Sequence, residues 1–131
     1  MDTPKQINSD LTDAQKDVLL HAGTEAPFSG ALLDNHDAGE YKCANCGTVL
    51  FQSDAKYDSD IPGLAGWPSF ADVAAKGTVE LRDDTSHGMQ RTEVICATCG
   101  GHLGHLFPDD SSPSGQHYCI NSAALEFKEK P

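Results

Sequence analysis

Two periodicities follow one another along this chain. Near the start, Val18, Leu19 and Ala22 recur at helical spacing and form an apolar stripe on an otherwise polar segment. Ahead of it, Thr12-Asp13-Ala14-Gln15 matches a capping box, in which the threonine hydroxyl and the glutamine side chain satisfy exposed backbone donors. Gly23 is a suitable stop, so the spacing predicts a helix over residues 13–22. Beyond it the helical period fades. Tyr41-Lys42-Cys43, Val49-Leu50-Phe51, Val79-Glu80-Leu81, residues 89–96, residues 117–121 and Leu125-Glu126-Phe127 are short β-prone runs divided by Gly, Asp, Asn and Ser clusters. Residues 71–76, closed by Gly77, suit a brief helical turn. The pattern predicts a mainly antiparallel β fold with N-terminal helical decoration.

At 131 residues the chain has the size of one domain, expected to span 1–131. Twenty acidic residues against nine basic ones give a net charge of −11, which repels nucleic-acid backbones and anionic membranes and disfavours both as partners. No run approaches the roughly 20 apolar residues of a membrane helix, and Met1-Asp2-Thr3-Pro4-Lys5 lacks a signal-peptide layout. The expectation is a soluble, cytoplasmic protein.

The five cysteines change the picture most. Cys43-Ala44-Asn45-Cys46-Gly47 and Cys96-Ala97-Thr98-Cys99-Gly100 share one spacing and one following glycine, while Cys119 stands alone. Each pair suits a tight knuckle in which glycine takes a positive φ and amides turn toward sulfur. Two knuckles close a tetrahedral shell with no open position, so the predicted site is structural. Two disulfides or a redox pair are the competing readings, but the odd count and the absence of a βαβ pattern favour metal. Ligands alone do not separate zinc from iron; zinc is expected because a structural role needs no redox metal.

If residues 117–121 are a strand, its period of two puts His117, Cys119 and Asn121 on one face and Tyr118 and Ile120 on the other, core face. A thiol between an imidazole and an amide can be activated, although free cysteines are commonly inert and buried. His102 and His105 follow the second knuckle. Their spacing of three sends them to opposite faces of an ideal strand, and Gly104 offers a bend that brings them together. Trp67, the only tryptophan, follows the loop Asp58-Ser59-Asp60-Ile61-Pro62-Gly63-Leu64-Ala65 and suits either core packing or a substrate methyl group.

Taken in order, Gly23-Thr24-Glu25, Pro27-Phe28-Ser29-Gly30, the two knuckles, Gly66-Trp67-Pro68-Ser69-Phe70, Arg91-Thr92-Glu93-Val94, His102-Leu103-Gly104-His105 with Phe107-Pro108-Asp109, and Tyr118-Cys119-Ile120-Asn121-Ser122-Ala123 resemble the B-type methionine sulfoxide reductases from about residue 11 to 127. The resemblance implies two antiparallel sheets in a small, Mss4-like β-tent and one structural zinc on Cys43, Cys46, Cys96 and Cys99. It further implies Cys119 as nucleophile, His102, His105 and Asn121 around the sulfoxide, Trp67 against the substrate methyl group, and Phe107 and His117 in substrate binding. The implied substrate is methionine-R-sulfoxide in proteins or peptides. The implied intermediate is a sulfenic acid, regenerated by thioredoxin or another external thiol. Two departures matter: His117 stands where many members have arginine, and Ala65, after a longer loop, where many have a second redox cysteine. The rival reading from another class, a zinc ribbon that binds a protein partner, explains the knuckles but leaves Cys119, Asn121, Trp67 and the histidines without work. A thiol peroxidase is disfavoured by the absence of a thioredoxin-like pattern.

Overall fold

The computed structural model describes residues 4–59, 61 and 64–130; Met1, Asp2 and Thr3, and Asp60, Pro62 and Gly63 of the loop before Ala65, lie outside the described residues. The helix α1 (Asp13–His21) begins where the capping box places it. Thr12 Oγ1 accepts from Gln15 N at 3.2 Å and Gln15 Oε1 accepts from Thr12 N at 2.8 Å. Val18 and Leu19 are buried. The chain turns out of the helix one residue earlier than the sequence suggests, at Ala22 with φ 56°. Gly23 then donates its N–H to the Asp17 carbonyl at 2.9 Å.

Among the described residues nine strands follow: β1 (Gly39–Cys43), β2 (Val49–Gln52), β3 (Lys56–Tyr57), β4 (Ser69–Phe70), β5 (Val79–Asp84), β6 (Arg91–Cys96), β7 (His102–Pro108), β8 (Gln116–Ile120) and β9 (Leu125–Glu129). They form two sheets, β2-β1-β9 and β3-β4-β8-β7-β6-β5, in which the strand pairs are antiparallel. The core is aromatic where the sheets face each other. Phe51 of the small sheet stacks on Phe70 of the large one, with centroids 4.4 Å apart and rings 15° from parallel. Tyr41 meets Phe70 edge-on at 5.0 Å, and Tyr118 closes the cluster 5.8 Å from Phe51. Aromatic pairs in these geometries contribute about 0.5–1.5 kcal/mol beyond their burial. Tyr118 and Ile120 thus lie on the core face of β8, as the alternation predicts.

Residues 71–76 are not a helical turn. Their amides are taken elsewhere: Ala71 N donates to Ala55 O at 2.8 Å, Ala74 N to Leu50 O at 2.8 Å, and Val73 N to the Asp72 carboxylate at 2.8 Å. Gly77, at φ 90°, serves a turn into β5.

Strand β7 is the main element that the hydrophobic pattern conceals, because the large sheet covers it so fully that His102, Leu103, Gly104 and His105 are all buried. Its pairing with β6 runs Val94↔Gly104 and then Ile95↔His102, which leaves Leu103 as an extra residue. That is a β-bulge, and it shifts the side-chain alternation by one. His102 and His105 therefore share a face, with ring centroids 5.4 Å apart. The bend lies at Leu103, one residue ahead of the expected glycine. Gly104 serves close strand approach instead. A Cβ there would collide with the Cys119 carbonyl oxygen, so its absence lets β7 and β8 pair closely beside the thiol.

Candidate active site and metal centre

The two knuckles are folded alike. In the first, Cys43 N donates to Thr48 O at 2.8 Å and Gly47 N to Cys43 O at 2.9 Å; in the second, Cys96 N donates to Gly101 O at 2.9 Å and Gly100 N to Cys96 O at 2.8 Å. Gly47 and Gly100 take φ 79° and 77°, the left-handed region that the turn requires. Cys43 ends β1 in the small sheet and Cys96 ends β6 in the large one, so the knuckles meet where the sheets converge. All four sulfurs lie within 4.8 Å of one another, with Cys43 and Cys99 3.7 Å apart and Cys46 and Cys96 3.5 Å apart. Metal–sulfur bonds of about 2.3 Å at tetrahedral angles require sulfurs about 3.8 Å apart, so the donor set fits a metal ion. Asn45, inside the first knuckle, also holds the N-terminal segment: its Oδ1 accepts from Ile7 N at 2.7 Å and its Nδ2 donates to Lys5 O at 2.8 Å.

Cys119 opens into a separate cleft of about 80 Å³, walled by Thr24, Leu64, Trp67, Arg91, His105, Phe107 and Asn121. Trp67 is fixed by its indole N–H, which donates to the Glu25 carbonyl at 3.0 Å. Asn121 is held at both ends of its amide: Oδ1 accepts from Glu25 N at 3.0 Å and Nδ2 donates to Leu103 O at 3.0 Å. Cys119 and His105 are directly opposite in the β7–β8 ladder, which places their Cβ atoms about 5 Å apart. Burial, and then the charge of Glu25, push the Cys119 thiol up to about 12, so it rests protonated. The Glu25 carboxylate itself accepts from Ser122 N at 2.9 Å and Ala123 N at 2.8 Å, fixing the turn after Asn121. Burial holds His105 below its ordinary 6.5, against the opposing effect of Asp84 at 2.7 Å, so its ring is neutral at pH 7.

His102 stands behind His105, buried, with Nδ1 2.6 Å from Glu93 Oε2. His117 lies behind the cleft, not on its wall. It is fully buried, edge-on to Tyr57 at 5.4 Å, with Nε2 2.7 Å from Ser69 Oγ and Nδ1 3.4 Å from Asp109 Oδ2. Asp109 also accepts from the Tyr57 hydroxyl at 2.7 Å.

Comparison with known proteins identifies the family. The SelR domain model matches residues 11–129. The chain belongs to the SelR family of B-type methionine sulfoxide reductases. Similar relatives include the peptide methionine sulfoxide reductase MsrB of Leptospira interrogans, 51% identical over 92% of this chain and 89% of the relative. That of Bradyrhizobium diazoefficiens is 52% identical over 96% of this chain and 88% of the relative. Among solved structures, a Mis18 "Yippee-like" domain aligns with a TM-score of 0.55 at 16% identity, covering 72% of this chain and 98% of that one; it shares the fold.

In this reductase the structure brings Cys119, His105, Asn121, Trp67 and Phe107 to one cleft, with His102 in ring contact behind it. It also adds Arg91, Asp84, Glu93, Glu25 and the Leu64 carbonyl, which sequence reasoning does not single out. Arg91, Glu93 and Glu25 stand inside recognisable motifs, whereas Asp84 is hidden in the acidic pair Asp83-Asp84 on an exposed edge strand. Burial lowers the pKa of His117 as it does that of His105. The unfolded reductase therefore binds protons that the folded one refuses. Stability is complete above pH 6.5 and is lost as the pH falls through the lowered folded values. His117→Gln retains a donor for Ser69 and is expected to reduce this acid-side slope by up to about 1.4 kcal/mol per pH unit. Urea denaturation across a pH series measures it, and an unchanged slope would mean that folded His117 is already charged.

Proposed function

We propose that one domain spanning this chain reduces the R diastereomer of methionine sulfoxide, in proteins or peptides, with Cys119 as nucleophile. The observation that carries the reading is the position of Cys119. It is the one cysteine outside the four-thiol cluster, and it faces a cleft shared with His105, Asn121 and Trp67 in a chain of this family. The substrate methyl group packs against Trp67 and Phe107, while the Asn121 amide orients the sulfoxide oxygen.

Because the resting thiol is protonated, attack requires a proton acceptor, and the neutral imidazole of His105 is the cross-strand neighbour able to serve. Cys119 sulfur attacks the sulfoxide sulfur as its proton passes to His105. The imidazolium returns that proton to the sulfoxide oxygen, and the oxygen passes to Cys119 sulfur as the methionine S–O bond and the new sulfur–sulfur bond break. Methionine sulfur gains two electrons and cysteine sulfur loses two, leaving a thioether and a sulfenic acid. His102, buried behind, keeps the His105 ring in place.

Cys43, Cys46, Cys96 and Cys99 would hold one zinc ion, whose filled shell of thiolates supplies cohesion and no substrate position. Recycling falls to an external thiol such as thioredoxin. The Leu64 carbonyl lies 4.0 Å from Cys119 Sγ, so Ala65, beside it, occupies the place from which a second cysteine would reach the sulfenic acid. The charge of −11 argues against nucleic acid as a partner; no helix among the described residues is long and apolar enough to cross a membrane.

The test combines a stereospecific assay with mass spectrometry. Incubation with a methionine sulfoxide mixture and dithiothreitol should consume the R form alone. One turnover without reductant should leave sulfenic acid at Cys119 with the metal retained. Rapid formation of a disulfide between Cys119 and a knuckle cysteine would refute external recycling, and turnover of the S form would refute the substrate.

A further inference from the structure

Two carboxylates grip the paired imidazoles through opposite ring nitrogens. Asp84, at the end of the edge strand β5, reaches across β6 so that its Oδ2 lies 2.7 Å from His105 Nε2. The same oxygen accepts from Arg91 Nη2 at 3.4 Å. Its other oxygen accepts from Ser86 N at 2.9 Å and Ser86 Oγ at 2.6 Å. The Ser86 hydroxyl first, and His105 next, hold this carboxyl well below the usual range, so it stays an anion that can only accept. The hydrogen between Asp84 and His105 must therefore sit on Nε2. When the ring is neutral, its lone pair is on Nδ1. His102 is held the other way round, with Nδ1 donating to Glu93 and Nε2 buried without a partner among the described residues.

We propose that Asp84 is a positioning residue of the reaction: it fixes His105 as the Nε2–H tautomer, so that Nδ1 takes the Cys119 proton and returns it to the sulfoxide oxygen. The proposal rests on the reading of Cys119 as nucleophile. His105, not His102, is the imidazole so served, because it lines the cleft and stands opposite Cys119 in the ladder. The charged and titratable groups facing His105 are Asp84 from β5, Arg91 and Glu93 from β6, His102 from its own strand and Cys119 from β8. Arg91 and His102 oppose a positive charge on the ring, whereas Asp84 favours it. An aspartate in this position does for His105 what a buried acid does in a catalytic triad, orienting the ring and stabilising the transient imidazolium.

Asp84→Asn keeps the shape and one acceptor but removes the charge, leaving Arg91 uncompensated. Its kcat is expected to fall roughly 100-fold with KM changed by no more than about twofold. The acid limb of the pH profile should move to lower pH, since a less stable imidazolium leaves the neutral base available further down. Asp84→Glu should restore part of the loss. Nitrogen-15 spectra of the unsubstituted enzyme provide an independent measurement that no folding defect can confuse: they should show His105 protonated on Nε2. An Nδ1–H tautomer, or an Asp84→Asn enzyme with the parental kcat and acid limb, would overturn the proposal. An inactive Cys119→Ser beside a normal Asp84→Asn would remove Asp84 alone, whereas an active Cys119→Ser would remove the underlying reading.

Discussion

Cys119→Ser should reduce turnover of methionine-R-sulfoxide by at least about 10⁴-fold, with the fold and metal content unchanged. The size of the effect follows from redox chemistry more than from nucleophilicity. In the proposed mechanism the electrons that reduce the sulfoxide come from the cysteine sulfur, which can accept the departing oxygen as a sulfenic acid. A hydroxyl oxygen has no equivalent product to offer. The exchange of sulfur for oxygen is small in volume, and Cys119 sits on a cleft wall outside the aromatic core, so packing is preserved. Stereospecific assay of the purified variant decides the matter: activity within about tenfold of the parent would require a different nucleophile.

The second large effect concerns the metal. Zinc binding to four-thiolate sites in small domains contributes an apparent 10–16 kcal/mol or so at neutral pH, as much as the entire stability of a typical domain, about 5–15 kcal/mol. Here the four sulfurs tie β1 to β6 across the two sheets, and Cys43 and Cys96 are fully buried. Cys96→Ser is therefore expected to yield a protein without metal and without a cooperative thermal transition. The parent should carry one zinc per chain and lose its fold to a strong chelator. Elemental analysis with circular dichroism reads both results. A Cys96→Ser protein that melts like the parent, or a folded parent with no metal and four freely alkylated thiols, would refute this.

Local signals in the sequence suffice for elements whose chemistry is local. The capping box at Thr12 and the paired knuckles depend on residues three or four apart, and both form as their spacing predicts. The alternation around Cys119 likewise places Tyr118 and Ile120 in the core. What stays hidden depends on partners distant in sequence. Strand β7 is covered on both faces and therefore carries little alternation. The apparent helix over 71–76 fails because β2 and the turn after it claim its amides. The acid–imidazole pairs cannot be inferred from one strand, since Asp84 meets His105 only after two strand reversals. His117 and Asp109 illustrate the same limit: a residue on the reactive face of β8 is nonetheless sealed beneath Tyr57 and Phe107.

The bulge at Leu103 gives β7 an uneven tolerance to changes in length. Upstream of it, the chain is pinned by the second knuckle; downstream, by five consecutive pairings with β8 from Gly104 to Pro108. A substitution at Leu103 alters packing in the core, and losing the residue would remove the bulge and leave His102 and His105 two apart on one face, but adding a residue beside it would turn them to opposite faces. Lineages that inherit this site can therefore vary the side chain at position 103 more readily than they can add a residue between His102 and Gly104. The described residues of the loop before Ala65 lie outside any ladder, so its length can change without reversing a strand. In evolutionary terms, insertions and deletions there are free to remodel how the sulfenic acid proposed for Cys119 is resolved, while the strand that aligns the imidazoles admits no added residue.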